Sequence, residues 1–206
     1  MTKNSNMWDS RFDTETYVYG TEPAAFLQAH EHMLSARAGQ NALAIADGEG
    51  RNSVYLAQRG LTVTAMDSSK VGQAKAAKLA QQHKVQIDFQ LADLKSWDWQ
   101  ENHWDMIVAI FIQFADPAFR SEIFAGMKRS VKPGGLILLH GYTPKQVELG
   151  TGGPGNPDLM YTVPMLQEAF GDMEILRLEA YEKTINEGPG HSGQSALIDL
   201  VARKPA

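Results

Sequence analysis

Short apolar runs alternate along the chain with longer amphipathic stretches, and the two spacings predict most of its elements. Phe26, Leu27, His30, Met33 and Leu34 recur three or four positions apart, which predicts a helix over Glu22–Ala38 with Thr21 as N-cap and Pro23 in the first turn. Ala42–Ala46 reads as a short buried strand, Arg51–Arg59 as a helix ended by Gly60, and Leu61–Met66 as a second strand. A helix over Lys70–His83 follows the cap candidates Ser68 and Ser69, and Val85–Leu91 alternates as a third strand. Asp105–Phe111 is an apolar fourth, Pro117–Val131 a helix, and Leu136–His140 a fifth strand behind the turn Lys132-Pro133-Gly134-Gly135. Strands that are apolar on both faces and separated by helices pack as a mostly parallel sheet covered on each side. Met173–Lys183 and Ser195–Arg203 alternate instead, and the turn Asn186–His191 joins them as a hairpin-like pair.

Composition narrows the class. With 206 residues there is room for one elaborated domain, and 43% hydrophobic with 21% charged residues is ordinary for a packed core. Nineteen Lys and Arg against 24 Asp and Glu leave a formal charge of −5, which argues against a phosphate-binding surface and so against a nucleic-acid partner. Zero cysteines exclude disulfides, thiolate metal sites and a cysteine nucleophile. His30 and His32 point to different faces of one helix, and no three-ligand cluster has metal spacing, so no metal is expected. Met1–Asp13 has no apolar signal core and no stretch approaches a membrane span, which predicts a cytoplasmic protein with no membrane partner.

The candidate chemistry lies at strand ends. Asp47-Gly48-Glu49-Gly50-Arg51-Asn52-Ser53 is a glycine turn between the first strand and its helix, where open α/β sheets bind ligands and where helix N–H groups are free. Asp67 ends the second strand 19 residues after Gly48, the expected place for an acceptor to two ribose hydroxyls; it reads alternatively as the N-cap of the next helix. Asp93 and Leu94 end the third strand, positioned to bind an adenine amine and ring nitrogen. The aromatic residues Trp8, Phe12, Tyr17 and Tyr19 either cover such a ligand or only pin the N-terminal arm.

Together with Trp104-Asp105 and Lys132-Pro133-Gly134-Gly135, these motifs resemble class I S-adenosylmethionine-dependent methyltransferases over Trp8–Lys204. Trp8-Asp9-x-Arg11-Phe12, Tyr17–Pro23, Gly48–Asn52, Gly141–Pro144 and Glu187-Gly188-Pro189-x-His191-x-Gly193 resemble the tellurite-resistance (TehB-like) branch, related to thiopurine methyltransferases. The resemblance implies an α/β, Rossmann-like three-layer sandwich whose seven-stranded sheet is mostly parallel with its last strand antiparallel. It implies one domain, 1–206: an arm and helix over 1–38, a cofactor core over 39–141, and a lid loop with C-terminal strands over 142–206. Methyl transfer from S-adenosylmethionine to a small molecule, a thiol or metalloid oxyanion among them, follows by the same resemblance, as does a monomer or homodimer.

By position the resemblance assigns Gly48 and Gly50 to the cofactor's methionyl part, Asp67 to the ribose, and Asp93 with Leu94 to the adenine, and it counts Ala46, Asp47, Asn52 and Ser68 among the cofactor-binding residues. Ile110 would line the methyl-donor side, Arg11 would pair with the carboxylate, and Tyr19 and Gly20 would cover it. Ala44 departs from the pattern by replacing the usual strand-one acid, for which Asp47 or Glu49 could substitute. An alcohol or amine acceptor needs a base; His191 is the first candidate, ahead of His140, Tyr142 and Asp116. Gly150–Pro157 reads as an acceptor lid or a surface loop. Two alternatives stay open: a nicotinamide-dependent oxidoreductase, although Ser53 replaces its third glycine, and a cofactor-binding regulatory module without catalysis.

Overall fold

The computed structural model describes residues 3–206, with side chains from Met7 onward. Its seven strands form one sheet in the order β3-β2-β1-β4-β5-β7-β6, the doubly wound arrangement expected for the class. The chain divides into two compact units, residues 1–97 with 187–190 and residues 98–186 with 191–206.

The first unit holds α1 (Lys3–Phe12), α2 (Ala25–Ala29), α3 (Glu31–Ser35), β1 (Asn41–Ile45), α4 (Arg51–Gln58), β2 (Thr62–Asp67), α5 (Lys70–His83) and β3 (Ile87–Leu91). β1 and β2 run parallel from Asn41↔Thr62 to Ile45↔Met66, so both present their carboxyl ends at one edge, and β3 follows in parallel beside β2. Ala42, Leu43 and Leu56 are fully buried, as the apolar runs require. The helix expected over Glu22–Ala38 is two helices. His30 leaves helical geometry at φ −107°, ψ 18°, and its Nδ1 is 2.8 Å from the Phe26 carbonyl. Thr21 does not cap it; Ala24 precedes the helix, and its N–H donates to the Asn52 Oδ1 at 3.0 Å.

The second unit holds β4 (Trp104–Ile110), α6 (Pro117–Ser130), β5 (Val131–Tyr142), α7 (Gln146–Leu149), α8 (Val163–Phe170), β6 (Glu174–Asn186) and β7 (Ser192–Arg203). β4 and β5 are parallel, while β7 is antiparallel to both β5 and β6. Ile107, Leu138, Leu139, Ile198 and Leu200 form its fully buried centre. α8 has no counterpart among the expected elements, although its start carries an ordinary N-terminal signature: Thr162 accepts from the Met165 N–H at 3.3 Å and a proline sits in the first turn.

Candidate cofactor site

The β1–α4 turn is built from left-handed residues. Ala46, Gly48 and Gly50 have φ of 48°, 61° and 91°, and Ala46 adopts this conformation despite its Cβ. The glycines answer a packing need that sequence reasoning missed. A Cβ on Gly50 would lie 2.6 Å from the Ala76 Cβ of α5, and one on Gly48 would lie 3.2 Å from the Phe12 ring. Gly50 thus lets α4 meet α5, and Gly48 seats the N-terminal arm.

Asp67, 7% exposed, joins the first two strand ends: Oδ2 accepts from the Gly48 N–H at 2.8 Å and Oδ1 from the Ser69 N–H at 2.7 Å. Burial pushes its carboxyl up, while the N–H groups of Ser69, Gly48 and Ser68 oppose the rise. Asp67 is not the cap of α5. That cap is Ser69, whose Oγ accepts from the Gly72 N–H at 3.0 Å, and with three N–H groups on its two oxygens the Asp67 carboxylate keeps one lone pair for an outside donor. Asp93 serves its own turn through Lys95 N–H at 3.0 Å and stays half-exposed beside buried Leu94.

Asp47 bonds both the N–H and the Oγ of Ser53, the former at 3.2 Å. Burial pushes its carboxyl up to about 7 against the pull of Ser53, with Asp67 adding to the rise and Arg51 opposing it. Glu49, by contrast, is committed: Lys75 Nζ lies 2.6 Å from Oε1, and the Tyr19 N–H donates to Oε2 at 3.3 Å. Of the two substitutes for the missing strand-one acid, Asp47 is the one still available. Lys75 Nζ also donates to the carbonyls of Phe12 at 3.1 Å and Thr16 at 2.7 Å, and Asp9 accepts from the Ser69 Oγ at 2.6 Å. The arm is therefore fixed by polar contacts as well as by the Trp8–Phe12 stack at 5.6 Å. Arg11 is exposed and donates from Nε to the Tyr19 hydroxyl at 2.8 Å.

Arg51 opens α4 and is 5% exposed; its Nη2 pairs with Glu187 at 2.9 Å, and Glu187 Oε1 accepts from the Ala25 N–H at 2.9 Å. Gly188, at φ 87°, lies against Gly20, where a Cβ on Gly188 would come within 2.3 Å of the Gly20 nitrogen. The motif residues Arg51 and Glu187 were visible in the sequence, but their pairing was not. Asn52, expected at the cofactor, uses its Oδ1 on Ala24, and Ser68 is half-buried beside Asp67.

In the second unit, Ile110 ends β4 and Phe111 follows it at φ 55°, a second strained residue at a strand's carboxyl end. The Phe111 ring meets His191 at 4.2 Å, Tyr142 at 4.7 Å and His140 at 4.8 Å between centroids. His191 is buried in this cluster. His140 is engaged elsewhere: its Nδ1 lies 2.7 Å from Asp199, which also pairs with Arg177 Nε at 2.9 Å. Asp116 caps α6 through the Phe119 N–H at 2.9 Å and so has a structural task. The Gly150–Pro157 loop is anchored at its start by fully buried Gln146, whose Nε2 donates to the Thr151 Oγ at 2.9 Å.

Residues 42–135 match the family model described as "Methyltransferase domain". The chain is 26% identical over 140 residues to the sterol 24-C-methyltransferase of Saccharomyces cerevisiae, which covers 65% of this chain and 36% of that protein. It is 30% identical over 115 residues to an uncharacterized methyltransferase of Synechocystis, covering 55% and 52%. The chain thus spans about half or less of the length of these curated relatives. TehB from Haemophilus influenzae superposes with a TM-score of 0.69 at 20% identity, over 98% of this chain and 67% of that one. The N-methyltransferase NodS of Bradyrhizobium japonicum, solved with S-adenosyl-L-homocysteine, gives 0.72 at 13% identity over 100% of both chains. The family match covers residues 42–135, and the chain as a whole shares the fold of TehB and NodS. Among the described residues no helix is long and apolar enough to cross a membrane.

Proposed function

We propose that this protein transfers the methyl group of S-adenosylmethionine to a small soft acceptor, a thiol or a metalloid oxyanion, as a cytoplasmic monomer or homodimer working as one domain. The observation that carries the reading is Asp67, a buried carboxylate at a strand end that holds the Gly48 amide and keeps acceptor capacity for an outside donor, as a ribose acceptor requires. Around it, Asp93 and the Leu94 N–H would hold the adenine, and the turn Ala46–Gly50 with Asn52 and Ser68 the rest of the cofactor. Tyr19 and Gly20 would cover it, and Ile110 would line the donor side. When bound, the cofactor supplies an electrophilic methyl group on a sulfonium sulfur.

The chain's own contribution is to position the acceptor and exclude water. His191, walled by the rings of Phe111 and Tyr142, is the residue we assign to accept a proton from a protic acceptor. An acceptor that is already anionic needs no such base. The soft acceptor and the TehB-like branch rest on the motifs around Arg11, Gly48 and His191. Incubation with methyl-labelled cofactor and a panel of thiols, selenite and tellurite tests the reading. Labelled product is expected; cofactor binding without turnover across the panel would make the protein a regulatory module, and binding of NADH in place of S-adenosylhomocysteine would make it an oxidoreductase.

A further inference from the structure

Arg51 is a cation placed where the arm, the glycine turn and the 187–190 loop of the first unit converge, and one of its nitrogens is unused. Its Nη2 is occupied by Glu187 at 2.9 Å, while Nη1 is buried with no hydrogen-bond acceptor among the described residues. A buried guanidinium nitrogen without an acceptor is costly, and in a native fold such a group marks a place for a partner. Arg51 is also the first residue of α4, whose N-cap, Gly50, brings no side chain; the Ser53 N–H of its first turn is met by Asp47. The charge of Arg51 is felt at both Asp47 and Tyr19, where it opposes the rise that burial imposes, so the guanidinium faces the turn and the arm together.

We infer that Arg51, through Nη1 and the helix end it opens, is the anchor for the carboxylate of the cofactor's methionyl group, in place of the exposed Arg11 that the sequence suggested. This rests on the cofactor reading above. Glu187 is the positioning partner, since its second oxygen is held by the Ala25 N–H and fixes the guanidinium plane. A carboxylate presented to Nη1 completes the fork, while Asp47 offers the opposite charge to the neighbouring ammonium group. Arg11, with its Nε on the Tyr19 hydroxyl, then braces the arm and does not bind the ligand.

Two ligands separate these roles: S-adenosylhomocysteine, which carries the amino-acid group, and 5′-methylthioadenosine, which shares the nucleoside and thioether but lacks it. Calorimetric titration of the whole chain should show Arg51→Lys, which keeps one ammonium for Glu187, weakening S-adenosylhomocysteine at least tenfold and leaving 5′-methylthioadenosine within twofold. Arg51→Met/Glu187→Gln, which strands no charge, should do the same, and Arg11→Met should shift neither ligand selectively. Equal weakening of both ligands in the Arg51 variants would make the residue structural and overturn the assignment, as would no change in either or a selective loss in Arg11→Met. Wild-type protein that binds neither ligand would overturn the cofactor reading and this anchor with it; wild-type binding of both leaves that reading standing whatever the variants do.

Discussion

Asp47→Asn should make the fold more stable above neutral pH. The carboxyl of Asp47 is pushed up to about 7 by burial, with Asp67 adding to the effect, whereas in the unfolded chain it titrates near its ordinary value of 3.8. A raised folded value means that the protonated form is favoured in the fold. The associated stability is fully present below pH 3.8 and is lost as pH rises through about 7. At about 1.36 kcal/mol per pH unit, the ionised form costs the fold about 4 kcal/mol once both states are charged, an order-of-magnitude figure. Asparagine removes the charge and keeps the geometry. Its Oδ1 still accepts from the Ser53 N–H, and the Ser53 hydroxyl can turn to the Gly50 carbonyl, 3.2 Å away. Urea denaturation of both proteins at pH 5 and pH 8 measures the effect: the advantage of the variant should grow by roughly 2–3 kcal/mol between the two. The same variant should bind S-adenosylhomocysteine more weakly, because the charge that burdens the fold is the one left to face the ligand's ammonium group. A stability difference that stays constant from pH 5 to pH 8 would show that Asp47 titrates normally and would refute the argument.

Gly50→Ala should cost about 2–4 kcal/mol, since the new Cβ meets the Cβ and the Cα of Ala76 at 2.6 and 2.7 Å in a left-handed backbone; thermal melts check this, and Ala76→Gly should recover little of it because the Cα clash stays. Phe12→Ala should cost about 3–4 kcal/mol in urea unfolding, because Phe12 is 3% exposed and fills the space above Gly48 and Gly72. Burial pushes the Asp199 carboxyl up, but His140 and Arg177 pull it down by more, so its contribution is present above its ordinary value and lost as pH falls through the lowered one. Asp199→Asn should therefore cost about 3 kcal/mol at pH 7 and flatten the acid limb of a stability profile. Asp67→Asn should weaken S-adenosylhomocysteine by about 2 kcal/mol, some thirtyfold, in calorimetry, and unchanged affinity would mean the ribose lies elsewhere.

The parts of the molecule that were legible in the sequence are those set by local spacing. β1, β2, α4 and α5 fell within a residue or two of their predicted bounds because apolar runs, glycine stops and serine caps act over one or two turns. The strand-end acids Asp67 and Asp93 were legible for the same reason, since parallel strands put all their carboxyl ends on one edge. What stayed hidden are pairings between residues far apart in the chain. Arg51 with Glu187 and Lys75 with the carbonyls of Phe12 and Thr16 look like solvated charges in a sequence, and only the fold removes their water. The break at His30 was hidden as well, because helical spacing continues straight through it while the His30 side chain turns back to the Phe26 carbonyl.

The glycine turn shows why such residues are misread. In sequence, glycines after a strand suggest room for a ligand, yet in the structure the side-chain space at Gly50 is filled by α5 and that at Gly48 by Phe12. The turn is a packing joint first: α4 rests on α5 there, and α1 is pinned over it through Phe12, Asp9 and the Lys75 clasp. A ligand meeting this turn finds backbone amides and the carboxylates of Asp47 and Asp67, whose placement depends on that joint. Substitutions in the arm or on α5 far from any ligand atom should then alter cofactor affinity together with stability. Substitutions at Asp67 or Arg51, to which the proposal gives the ribose and the carboxylate, should alter affinity out of proportion to stability. That contrast follows from the joint itself, and it distinguishes a turn that merely carries binding groups from one whose geometry is set by the surrounding helices.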